Sequence, residues 1–159
     1  MQNILLVGAG QLGSRYLQGL STVKLDLCIT VVDPAELSLD NAKKRWFEAE
    51  GDKSQHKIRW CKVLPQDLAL IDLAIISTSA GGRADLVKHI SNTVRVSYWV
   101  LEKVLAQSKQ ELDIIHAATI NAKGTWVNMG RRVLDWHQQL KFKFYEQGPL
   151  RVKKTGGLW

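Results

Sequence analysis

At 159 residues the chain is long enough for one domain with a proper hydrophobic core. It is 45% hydrophobic and 23% charged, as a soluble globular protein should be, and no apolar run reaches the length of a membrane span. The formal charge of +7 gathers late, at Lys123, Arg131, Arg132, Lys141, Lys143, Arg151, Lys153 and Lys154.

These basic residues alternate with apolar ones in "KFKFY" and "LRVKK", as on strand edges or a face that meets another body. No zinc finger, aromatic RNA-binding strand or recognition-helix pattern accompanies them, so neither a nucleic-acid nor a membrane partner is expected. The N-terminus lacks a basic region and a small-residue cleavage site, and no signal peptide is expected. Cys28 and Cys61 sit in separate β-like runs without a cysteine or histidine at ligand spacing. Buried free thiols, no metal and a reducing, cytoplasmic compartment are the expectation.

In chain order, "NILLVGAG" reads as a strand buried on both faces that ends in glycines. "GSRYLQGL" follows as a helix, with Leu12, Tyr16 and Leu20 on one stripe. "LDLCITVVD" is a second buried strand, stopped by Asp33-Pro34, and "LSLDNAKKRWFEAEG" an amphipathic helix closed by Gly51. "KIRWCKVL" alternates like an exposed edge strand, and "DLAIISTS" is a fourth, buried one. "GRADLVKHI" is helical, with Leu86, Val87 and Ile90 inward. "RVSYWVLEK" is the fifth strand, "SKQELDIIHAATIN" a helix, "GTWVNMG" a short sixth strand, "RVLDWHQQLKF" a last helix, and "PLRVKKT" the start of another strand. This alternation predicts an α/β fold, a doubly wound parallel sheet with helices on both faces.

Gly8, Gly10 and Gly13 give the spacing G-x-G-x-x-G between the first strand and the first helix. An acidic residue, Asp33, ends the second strand about 20 residues on, the pattern of a dinucleotide site. Gly8 permits a tight turn, Gly10 leaves room for a pyrophosphate, and Gly13 lets helix and strand pack closely. The N–H groups of the helix start, at Gln11 and Leu12, face the phosphates. Asp33 would accept hydrogen bonds from ribose hydroxyls and repel a 2′-phosphate. NAD(H) is therefore favoured, while NADP(H) stays open because Lys43 or Lys44 could reach that phosphate. A glycine turn used only for packing, or an S-adenosylmethionine or flavin site, would share parts of the pattern.

Ligands in such sheets lie at the carboxyl ends of the strands. After the fourth strand, "STSAGG" supplies Ser77, Thr78 and Ser79 as candidate cofactor contacts. At the fifth strand's end, Glu102 is a further cofactor candidate. Lys103 is the candidate catalytic residue, able to hydrogen-bond a substrate hydroxyl beside a nicotinamide. Both readings compete with a capped turn and a solvated lysine.

With "VGAGQLGSRYLQGL", "VVDP", "AIISTSAGGRADLV", "VLEKVLAQS" and "VNMGRR" in view, the chain is similar to the Gfo/Idh/MocA oxidoreductases across nearly its whole length. The resemblance implies a Rossmann domain over 1–122. The sixth strand, an interdomain helix and the start of a truncated second domain would occupy 123–159. It implies hydride transfer between a nicotinamide and a hydroxyl-bearing carbon of a sugar, cyclitol or nucleotide sugar. The family's E-K-P lysine falls on Lys103. Arg131 and Arg132 fall where an arginine can meet an acidic substrate group or brace the interdomain helix.

Two positions depart from the family pattern. Val104 replaces the proline of E-K-P, and Arg83 stands at the histidine of T-P-N-x-x-H. The family's Asp/His acid–base pair has no counterpart: His56, His89, His116 and His137 read as structural or solvated. Since "KKTGGLW" falls about where the second domain begins, a fragment is favoured over a natural short form. Any homo-oligomer would use that second domain. A non-catalytic dinucleotide-binding module is the alternative function.

Overall fold

The computed structural model describes residues 1–49, 55–68, 70–130 and 134–147. The elements run β1 (Gln2–Val7), α1 (Gln11–Ser21), β2 (Leu27–Val32), α2 (Glu36–Glu48), β3 (Lys57–Cys61), β4 (Leu70–Ile76), α3 (Arg83–Thr93), β5 (Arg95–Glu102), α4 (Lys109–Thr119), β6 (Gly124–Asn128) and α5 (Asp135–Gln147). They form two compact units, Met1–Asn128 and Met129–Trp159. The expected strand "PLRVKKT" and the helix-closing Gly51 lie outside the described residues. Among those residues, no helix is long and apolar enough to cross a membrane.

The first unit is a six-stranded sheet in the order β3-β2-β1-β4-β5-β6. Every neighbouring pair is parallel. Sequence order reverses between β1 and β4, and in sheets of this kind that reversal opens the ligand crevice at the strands' carboxyl ends.

Parallel strands covered on both faces must be apolar on both, and the continuous runs read from the sequence meet that demand. Within β1 the side chains alternate. Leu5 and Val7 join Val87 and Ile90 of α3, Trp99 of β5 and Ile115 of α4 in one core. Ile4 and Leu6 join Leu17 of α1 and Leu39, Ala42 and Trp46 of α2 in the other. Burying each large side chain contributes roughly 1.5–3 kcal/mol. β3 lies at the sheet edge with an alternating, partly exposed pattern, as "KIRWCKVL" predicts.

Two expectations need correction. The buried face of α1 is Gly13, Ser14 and Leu17, not a stripe led by Leu12, which is 43% exposed. Tyr16 and Leu20 flank that face. Cys28 and Cys61 are free thiols, but half-buried. They lie on β2 and β3, the last two strands on one side of the sheet.

In the second unit, α5 carries exposed Trp136, Leu140 and Phe142, and Trp136 meets His137 edge-on at 5.7 Å.

The corrected packing of α1 has a direct consequence. Leu17, fully buried, should cost about 2–5 kcal/mol on truncation to alanine. Leu12→Ala should stay within about 0.5 kcal/mol. Urea unfolding of the two variants measures the difference.

Candidate functional site

The site is built where β1, β2, β4 and β5 end. β1 runs into Gly8, whose φ of +94° suits glycine, and its N–H continues the ladder to Val32 O at 2.8 Å. A Cβ on Gly8 would stand 3.0 Å from the Ser77 and Thr78 backbone. At Gly13 the constraint is absolute, because a Cβ there would lie 1.8 Å from the Gly8 carbonyl oxygen. At Gly10 it would meet nothing within 4 Å. The three glycines therefore differ as their spacing implies: one turns the chain, one lets the helix start against the strand end, and one faces open space.

Gly10 is the N-cap of α1, with no side-chain cap and no acidic residue in the first turn. The free N–H groups of Gln11, Leu12 and Gly13 and the positive end of the helix dipole are thus uncompensated by an acid. Arg45 of α2 reaches across to this turn. It donates to Gln11 Oε1 at 2.8 Å and Gln11 O at 3.3 Å, and also bonds Ser14 Oγ.

Asp33 is 9% exposed. Its Oδ2 accepts from Ala9 N–H at 2.7 Å and its Oδ1 from Ala35 N–H at 2.8 Å. The carboxylate thus ties the glycine turn to the end of β2, a task that spacing did not reveal. Each oxygen keeps a further lone pair.

Ser77 ties in the third exit. Its hydroxyl donates to Gly8 O at 2.6 Å and Val7 O at 3.1 Å. Thr78 Oγ1 is buried without a hydrogen-bond partner among the described residues. Ser79 is exposed.

Glu102 is buried, 5% exposed. Its Oε1 accepts from the Tyr16 hydroxyl and, at 2.6 Å, from Asn128 Nδ2, which also donates to Tyr16 Oη at 2.6 Å. α1, β5 and β6 meet in this cluster. Burial, reinforced by the carboxylate, pushes the Tyr16 phenol above its ordinary range. The β5–β6 register places Asn128 directly beside Glu102, so a polar residue at the end of the sixth strand was the available signal. Lys103, the next residue, is exposed.

Arg83, the first residue of α3, is 1% exposed. Its Nη1 donates to the carbonyls of Glu102, Val104 (2.5 Å) and Leu105 (3.2 Å), and its Nη2 to that of Thr78. Burial lowers its affinity for the proton, and the Glu102 carboxylate offsets part of this. From the sequence, Arg83 stands out only as a departure from a pattern.

The structure thus brings Gly8, Gly10, Gln11, Leu12, Gly13, Asp33, Ser77, Thr78, Ser79, Glu102 and Lys103 to the carboxyl rim of one sheet. Arg131 and Arg132 lie outside the described residues. His56 is structural. Its Nδ1 accepts from Leu27 N–H at 3.3 Å and its Nε2 lies 3.0 Å from Leu20 O. Among the described residues, no cluster of His, Cys, Asp and Glu could hold a metal.

The Tyr16 cluster makes stability depend on pH. Its folded phenol holds the proton more tightly than the unfolded one, so its stabilisation is complete below about pH 10 and is lost as pH rises further. Tyr16→Phe should cost about 1–3 kcal/mol at neutral pH. It should also flatten the alkaline fall in melting temperature. Calorimetry across the alkaline range compares the slopes, and equal slopes would count against the cluster.

No family model matches the chain, and no curated protein matches it in sequence. Solved structures do match. The WlbA dehydrogenase from Bordetella pertussis, in complex with NADH and UDP-GlcNAcA, is 18% identical with a TM-score of 0.66, covering 92% of this chain and 42% of its own. An oxidoreductase from Agrobacterium radiobacter, in complex with NAD+, L-tartaric acid and magnesium, is 16% identical with a TM-score of 0.69, covering 91% and 40%. A Gfo/Idh/MocA family oxidoreductase from Vibrio cholerae is 16% identical with a TM-score of 0.65, covering 92% and 44%. The chain spans roughly two fifths of the length of these proteins. What it shares with these oxidoreductases is their fold, a Rossmann-type α/β sheet over nine tenths of its length.

Proposed function

We propose that residues 1–128 bind NAD(H), and that the chain is the dinucleotide-binding part of an oxidoreductase resembling the Gfo/Idh/MocA enzymes. The observation that carries this reading is the glycine turn. Gly10 leaves open space in front of uncapped helix N–H groups, at the point where strand order reverses. A pyrophosphate fits that cradle in both shape and charge. The solved structures of the same fold that hold NADH or NAD+ support the choice of ligand.

The residues take distinct parts. The N–H groups of Gln11, Leu12 and Gly13 hold the phosphates, and Asp33 accepts from the adenosine ribose hydroxyls. Half-buried Thr78 and exposed Ser79, past the end of β4, lie along the nicotinamide half. Nicotinamide, when bound, supplies hydride chemistry. Glu102 shapes the floor through Tyr16 and Asn128. Lys103, projecting from the end of β5, donates a hydrogen bond to a substrate oxygen and orients it. The substrate class is a polyhydroxylated small molecule such as a sugar, cyclitol or nucleotide sugar. Arg131 or Arg132 would meet an acidic group on it.

Calorimetric titration tests the cofactor. NADH should bind at least about tenfold more tightly than NADPH, on the order of one charged hydrogen bond. Equal affinities would remove Asp33 from the ribose site. Gly10→Val should abolish NADH binding with the fold retained and stability lowered by no more than about 1 kcal/mol, the cost of valine at a helix N-cap, since its side chain enters open space. Normal binding by that variant would reduce the stretch to a packing turn.

Turnover demands a substrate held against the nicotinamide as well as a bound cofactor. The 159-residue chain by itself is expected to bind NAD(H) but, supplied with NAD+ as hydride acceptor, not to oxidise a panel of sugars and cyclitols. Turnover that vanishes in Lys103→Ala would show that it builds a complete site alone.

A further inference from the structure

We infer that Arg83 is a positioning residue that sets the spacing between the exits of β4 and β5, and with it the fit of the nicotinamide half of the cofactor. This rests on the dinucleotide reading above. The hydrogen-bonded pairing of β4 with β5 ends at Ile76 and Leu101. Past that point the sheet no longer ties residues 77–80 to residues 102–105. Arg83 does so: one guanidinium donates to Thr78 O on one side and to the carbonyls of Glu102, Val104 and Leu105 on the other.

Reaching four carbonyls from one buried point needs several N–H donors in a rigid plane, which arginine alone supplies. No described carboxylate forms an ion pair with it, so the carbonyls are its partners and their placement is what the guanidinium determines. The Glu102 carboxylate is anchored separately by Tyr16 and Asn128. The backbone is thus fixed on both sides of Lys103, while the Lys103 side chain stays exposed. None of these bonds is made to the glycine turn or Asp33, which are held by Ser77, Ala9 and Ala35, so the adenosine and pyrophosphate half depends on Arg83 far less than the nicotinamide half does.

That division is the test. NADH and ADP-ribose, which lacks the nicotinamide, are titrated into the parent chain, Arg83→Met and Arg83→Lys. Arg83→Met should weaken NADH about tenfold or more and leave ADP-ribose within about twofold; Arg83→Lys, with three donors and the charge retained, should recover part of the loss. A merely structural arginine would move both ligands together. Equal weakening of both, or of neither, overturns the positioning role. If Arg83→Met does not fold, the Arg83→Lys ratio of the two ligands decides by the same criterion. Failure of the parent chain to bind either ligand would instead overturn the dinucleotide reading itself.

Discussion

The helix α1 starts against the end of a buried strand, and this is sterically permitted only because residue 13 has no side chain. A Cβ there would sit 1.8 Å from the Gly8 carbonyl oxygen, well inside any non-bonded contact. Had the helix been displaced to make room, its N-terminal N–H groups would leave the crevice where the strand order reverses. Leu17, one turn further on, would also leave its socket between the helices and the sheet. One missing methyl group therefore couples the packing of the core to the position of a cluster of free donors. Gly8, at φ +94°, supplies the turn that brings the chain round to this approach.

Around that contact, the polar side chains at the strand ends act first on the chain itself. Asp33 holds the Ala9 N–H, Ser77 holds the Gly8 carbonyl, and Glu102 is held by Tyr16 and Asn128. Each such bond contributes only about 1 kcal/mol net, but leaving any one of these buried groups unpaired would cost more. The consequence is a rim whose strand exits are tied to one another by the chain's own hydrogen bonds. Gly10 opens onto free space in this rim, and Thr78 Oγ1 is buried there without a partner among the described residues.

The two departures from the family pattern meet in space. Arg83, where the pattern has histidine, donates to the carbonyl of Val104, where the pattern has proline. Their separation of 21 residues hides this in the sequence. α3 packs against the sheet with its first residue buried under the end of β5, and this brings them together.

The sequence by itself determined the sheet, because strands buried on both faces must be apolar throughout and helices between them must be apolar on one side. It also determined the glycine turn, since only glycine meets the demands of a positive φ at residue 8 and of close contact at residue 13. Tertiary structure decided what the polar residues do. Spacing could mark Asp33 as an acid at a strand end, but not that both of its oxygens already hold backbone N–H groups. It could place Tyr16 on a helical stripe, but not opposite Glu102, 86 residues away. It could register Arg83 as an exception, but not as the tie between two strand exits. Apolar periodicity is local, and one chain segment suffices to show it. A hydrogen-bond partner is fixed only when distant segments are brought to within about 3 Å of each other, and that is a property of the folded sheet.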